Sequence, residues 1–162
     1  MCIRDSFRAL WHIDPSMPLI RGERLGEACS IHVLDVDGPG LVHCTRSARP
    51  EIVLFGTAHR LESGLRAEAG TSIVVVVEGR EATVSRFAAG EPDRTTAVPA
   101  RVETVARAII EVGGTYSDIV QFLQQASAGR CLESRLAFDA IPNEFDGRGE
   151  AHLAVRRLQG LG

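Results

Sequence analysis

Ser47, His43 and Asp35 are the residue types of acyl transfer: a hydroxyl nucleophile, an imidazole to take its proton and a carboxylate to orient the imidazole. No G-x-S-x-G elbow surrounds Ser47 and no oxyanion-hole signature accompanies it, so the sequence assigns no catalytic residue. The stretch Asp35 to Gly40, DVDGPG, has the carboxylate spacing that opens a calcium loop. Its twelfth position is Arg46, where such a loop needs a bidentate glutamate, so it reads as the tip of a turn. His32 and His43 would share one face of a tight hairpin, but no third ligand follows at a predictable spacing, and they read as solvent-facing strand histidines. The four cysteines, at 2, 29, 44 and 131, form no C-x-x-C pair and no zinc spacing with the five histidines. They read as buried thiols; a bond between Cys29 and Cys44, which flank the expected hairpin, stays open in an oxidising compartment. No phosphate-cradling glycine motif follows a strand. No metal, no cofactor and no enzymatic activity is expected.

The chain that would position these residues has 162 of them, room for one ordinary domain that buries roughly two thirds of its unfolded surface. Apolar residues make up 44% and charged residues 24%, a globular balance that excludes disordered and fibrous classes. Aromatics are only 5%, which favours a core of Val, Ile, Leu and Ala on sheet faces and short helices over a large ligand pocket. A net charge of −3 and a pI near 6.0 argue against nucleic acid as a partner, since phosphate binding draws on a basic face. The longest wholly apolar run, Ile73 to Val77, is far short of the roughly 20 residues that span a bilayer.

MCIRDS at residues 1–6 reads as an artificial edge, which would make the chain a fragment. FRALWHIDPSMPLIRG, residues 7–22, reads as a lead-in loop because of Pro15 and Pro18. Alternation then predicts strands over 29–36 and 41–47, joined as a hairpin by DGPG at 37–40, and a third strand over 51–56 behind Pro50. SIVVVVEG, residues 72–79, is apolar on both parities and predicts a sheet-interior strand with both faces covered; EATVSRFA makes a second hairpin with it. Residues 88–100, with Gly90, Pro92 and Pro99, read as a loop that closes the β-rich part at about 90.

From Val102 the period becomes helical: Val102, Val105, Ala106 and Ile109 form one stripe, stopped at Gly113-Gly114. Thr115 is placed to cap a second helix, with Asp118 as the partner in a capping box, and Gly129 suits the left-handed position at its end. Ile119, Val120, Phe122, Leu123 and Ala126 give that helix an apolar face. Tyr116, Val120, Phe122 and Leu123 are the candidate protein-interaction residues; Phe122 also suits the core, and Tyr116 in the first turn suits either use. Leu132, Leu136 and Phe138, alternating with Glu133, Arg135 and Asp139, predict a closing strand ended by Pro142. The fold expected is α+β: a mostly antiparallel sheet followed by a short helical hairpin and a returning strand. It forms one domain over 23–142, with 102–141 as its helix-helix-strand part. Residues 143–162 would be a linker and a short amphipathic helix through Ala151, Ala154, Val155 and Leu158.

The pattern Val102-x-x-Val105-x-x-Ala108-Ile109, Gly114-Thr115-x-x-Asp118-Ile119-Val120, Leu123-Gln124, Gly129, Leu132 and Leu136 resembles the C-terminal segment of bacterial flagellar P-ring proteins. The region Cys29 to Phe87 does not show the family's preceding pattern, and residues from Asn143 extend past its end. The resemblance implies a non-enzymatic subunit of the periplasmic basal body that self-associates in a ring around flagellar rod proteins, with no catalytic residue. A helical hairpin this short must bury its apolar sides on the sheet, on a neighbouring subunit, or both. The rival reading from another class is a β-rich binding module of a bacterial envelope protein, for cell-wall polymer; a hydrolase built on Ser47 is the third.

Overall fold

Residues 20–57 and 59–139 are described by a computed structural model. The predicted tail helix and most of the lead-in loop lie outside the described residues. The α+β expectation holds: the described residues form nine strands in two mostly antiparallel sheets and two helices, the last strand being the returning one. The strands are β1 (Ile20–Leu25), β2 (Cys29–Leu34), β3 (Leu41–Cys44), β4 (Glu51–Phe55), β5 (Arg66–Ala69), β6 (Ile73–Glu78), β7 (Glu81–Arg86), β8 (Arg94–Pro99) and β9 (Arg135–Phe138). The helices are α1 (Val102–Glu111) and α2 (Tyr116–Ala128).

The larger sheet runs β1-β2-β4-β3-β9 and corrects the first predicted hairpin. β2 and β3 are not neighbours. β4 lies between them, parallel to β2 and antiparallel to β3, so DGPG carries the chain across the end of β4 rather than around a two-strand turn. Gly56, at φ 92°, makes the crossing possible: a Cβ there would sit 3.4 Å from the carbonyl oxygen of Gly38. The tight turn is instead at β3–β4, where the Glu51 N–H donates to Thr45 Oγ1 at 2.8 Å. The lead-in also ends earlier than expected, since β1 pairs antiparallel with β2 along its whole length.

The smaller sheet is an antiparallel meander, β5-β6-β7-β8. Two of its strands were not expected. RAEA in β5 is short and weakly apolar, while β8 lies in the segment read as a loop. β8 is an edge strand with no fully buried residue, and its pairing with β7 supplies what local apolarity does not. The run IVVVV in β6 is central but covered on one side only: Ile73, Val75 and Val77 are buried, whereas Val74 and Val76 are half-buried.

After β8 the chain forms the helical hairpin and returns to the larger sheet as β9, parallel to β3. The predicted α1 stripe is buried as drawn, with Ala108 added to it. Arg86 Nη1 donates to the Val112 carbonyl at 2.8 Å and satisfies the helix end. Gly114 admits no side chain, because a Cβ would lie 2.6 Å from Ile109 Cγ2. The capping box on α2 is formed: Thr115 N–H donates to Asp118 Oδ2 at 2.8 Å and Asp118 N–H to Thr115 Oγ1 at 3.4 Å. At the other end the left-handed residue is not Gly129, which has φ −75°, but Arg130, at φ 55°. Cys131 N–H reaches the Ala126 carbonyl at 2.8 Å and Arg130 N–H that of Ser127 at 3.1 Å, a Schellman motif shifted by one residue.

One core cluster joins both sheets and both helices, from Ile31, Ile52 and Cys44 through Val75 and Val84 to Ile109 and Phe122. Phe122 and Leu123 are fully buried in it, which removes them as contact residues for a partner. The oily side of the hairpin is consumed within the chain, which leaves the outer side of α2 as the face of that helix open to contact.

Candidate functional site

The outer side of α2 forms one wall of a groove of about 350 Å3, opposite the β3–β4 turn and β9. Tyr116 and Val120, one helical turn apart, line it with Ser117, Gln121 and Gln124; Thr45, Arg46, Ser47 and Pro50 face them, and Phe138 closes the end. The Tyr116 hydroxyl donates to the Thr45 carbonyl at 2.7 Å and pins the helix start to the turn. Burial foremost, then the neighbouring Cys44 and Cys29 thiols, raises the Tyr116 pKa, so its hydroxyl stays protonated. The Arg46 guanidinium lies over the Phe138 ring, 5.6 Å from its centroid, and the Arg46 N–H donates to Asp139 Oδ2 at 3.2 Å. Hydroxyls, primary amides, a guanidinium and two half-buried rings make this a surface for hydrogen bonding and stacking.

The residues singled out for chemistry are kept apart. Ser47 lies in the β3–β4 turn, where its hydroxyl donates to the Arg49 carbonyl at 2.5 Å. Asp35 follows Leu34, which is level with Phe55 and Leu41 at the opposite end of the sheet. His43 instead meets Asp139, at 3.4 Å from Nε2 to Oδ1. His32 and His43 do share a face, in one row through Val53, but that intervening strand holds them about two strand spacings apart, roughly 10 Å, and His32 is buried at 1% exposure rather than solvent-facing. Among the described residues no three His, Cys, Asp or Glu side chains gather to hold a metal ion.

Cys29 and Cys44 are free and buried, on either side of β4. Two strand spacings, roughly 10 Å, exceed the Cα separation that a disulfide bridges. Burial pushes the Cys29 thiol up to about 11 and the Cys44 thiol up to about 12, so neither is a thiolate nucleophile at neutral pH.

One pair escaped the sequence reading. His59 is fully buried between the sheets; its Nε2–H donates to the Gly56 carbonyl at 2.9 Å, which leaves Nδ1 to accept from the Ser134 hydroxyl at 2.8 Å. This has the geometry of a nucleophile and its base, but Ser134 is only 4% exposed. The pair clasps the crossing after β4 to the start of β9. Burial lowers the His59 pKa, and the imidazole is neutral. The partners are 75 residues apart, and no local spacing marks them.

A second cleft, of about 360 Å3, lies beside the segment that links the two sheets, lined by Arg60, Leu61, Glu62, Ser63, Arg80 and Arg101 among others. No helix among the described residues is long and apolar enough to cross a membrane. No protein-family model matches the chain, and neither a curated protein nor a solved structure matches it.

Proposed function

We propose that the chain is a non-enzymatic assembly subunit resembling the flagellar P-ring protein, self-associating in the periplasmic basal body around rod proteins. The observation that carries this reading is the order and capping of the resembling segment. Helix, Gly-Gly turn, Thr115–Asp118 box, helix and β9 follow one another as the resemblance implies. Since the apolar sides of both helices are spent internally, the contact between subunits uses the outer row of α2, with Tyr116 and Val120 at its centre. A groove on one subunit and a different surface on the next make a heterologous contact, the kind from which rings close.

Sedimentation velocity over a rising concentration series tests it. Concentration-dependent oligomers that Val120→Glu weakens support the reading, and a strictly monomeric chain at high concentration overturns it.

A second reading is supported by the groove lining. Gln121, Gln124 and Ser47 beside Phe138 and Tyr116 suit the hydroxyls and flat faces of a sugar polymer, as in an envelope binding module. Retention on isolated cell wall supports that reading, and passage without retention removes it.

A further inference from the structure

Three arginines reach the second cleft from three separate segments. Arg60 is in the crossing between the sheets, Arg80 in the β6–β7 turn, and Arg101 at the start of α1. Their backbones are tied together. Arg60 and Arg101 face each other across an antiparallel bridge, Leu61 N–H donates to the Ala100 carbonyl at 3.0 Å, and Ala100 N–H donates to that of Arg80 at 2.9 Å. The three Cα positions are therefore fixed by hydrogen bonds, so the three side chains start from neighbouring points of the backbone.

Neutralisation within the chain is incomplete. Arg101 pairs with Glu103, and Glu62 lies on the rim. Among the described residues, neither Arg60 nor Arg80 has a carboxylate within ion-pair distance. The positive end of α1 begins at Arg101, and no side chain caps its first-turn amides. A chain of net charge −3 thus brings three arginines to one concave place, two of them with no carboxylate partner among the described residues.

We propose that this cleft is an oxyanion site that takes a phosphate or a polycarboxylate between Arg60 and Arg80, with Arg101 behind them. Guanidinium forks suit both groups, because each presents two oxygens in the plane of the N–H donors. The site shares no lining residue with the α2 groove and does not depend on the assembly reading.

The test is a titration of the full chain with inorganic phosphate and, separately, with citrate at constant ionic strength, followed by NMR of the arginine Nε–H signals. Saturable shifts at Arg60, Arg80 and Arg101 are expected with at least one probe, and the probe that saturates identifies the ligand class. Arg60→Gln with Arg80→Gln weakens that binding by about tenfold or more, as expected when charge-assisted hydrogen bonds are lost. Both side chains are exposed, so the double variant keeps its fold, and its melting temperature without anion stays level or rises as repulsion is relieved. Shifts that stay linear with both probes, or that are equal at Arg24 and Arg94, overturn the proposal.

Discussion

β4 and β6 are both apolar strands in the middle of a sheet, yet they are buried differently. In β4, Ile52 and Leu54 face the common core, while Val53, on the opposite face, is just as inaccessible at 1% exposure. In β6, Ile73, Val75 and Val77 face the core, but Val74 and Val76 are only half-buried. The longer β-branched run is thus the less covered one. A run of valines reports a preference for extended backbone as much as burial, so covering of a second face cannot be read from composition alone.

The largest effects should fall where this contrast is sharpest. Ile52→Ala and Val53→Ala, on opposite faces of β4, should each destabilise the fold by about 2–4 kcal/mol, while Val76→Ala costs less than about 1 kcal/mol. Urea unfolding checks this, and equal losses at Val53 and Val76 would erase the distinction between the sheets.

The clasp between the crossing after β4 and the start of β9 comes next. His59→Ala should cost about 1–3 kcal/mol, because Ser134 and the Gly56 carbonyl lose a buried partner. The same residue sets a pH dependence. The unfolded imidazole titrates near 6.5 and the folded one lower, so between those values the unfolded chain binds the extra proton. Its contribution is full above 6.5 and declines as pH falls towards the folded value. His32, also lowered by burial, acts in the same direction. Unfolding midpoints at pH 7.5 and 5.5 should show the acid loss, and His59→Gln should flatten it without abolishing it.

Smaller effects separate the two ends of α2. Thr115→Ala should remove about 1 kcal/mol with the cap. Gly70→Ala should act on the same box, because a Cβ at Gly70 would overlap the Asp118 carboxylate and the backbone there has φ 73°. A double variant should therefore lose less than the two single losses summed. At the other end Arg130→Gly should stabilise by about 1 kcal/mol, since glycine removes the penalty of a left-handed arginine. Thermal melts resolve both, and a loss on Arg130→Gly would mean that the Arg130 side chain supports the helix end.

The same contrast explains what was legible beforehand. Elements whose signal is local were readable: the α1 stripe, the Thr115–Asp118 box, the Gly113-Gly114 stop and the presence of β9, although its burial does not alternate, since Leu136, Ala137 and Phe138 are all half-buried. Features set by distant pairing were not. The insertion of β4 between β2 and β3 is a choice among registers that the same alternation permits. β8 is a strand because β7 offers a ladder that Thr95, Thr96 and Val98 suit, while Gly90 and Pro92 before it and Pro99 at its end give the segment the look of a loop. Of the groove lining, Tyr116 and Val120 are legible from their place on the helix. Arg46, Phe138 and the glutamines of the groove, like the three arginines of the second cleft, converge only when the chain is folded. Leu123 reads as a contact residue, and Phe122 as contact or core, because an apolar helix face looks the same whether its cover is a partner or the chain's own sheets.

Hydrogen exchange compared between dilute and concentrated solutions tests the assembly reading most directly. Added protection at high concentration is predicted along 45–50 and the exposed turns of α2, with none gained by amides already in the core. Identical exchange in those segments at both concentrations would contradict the account.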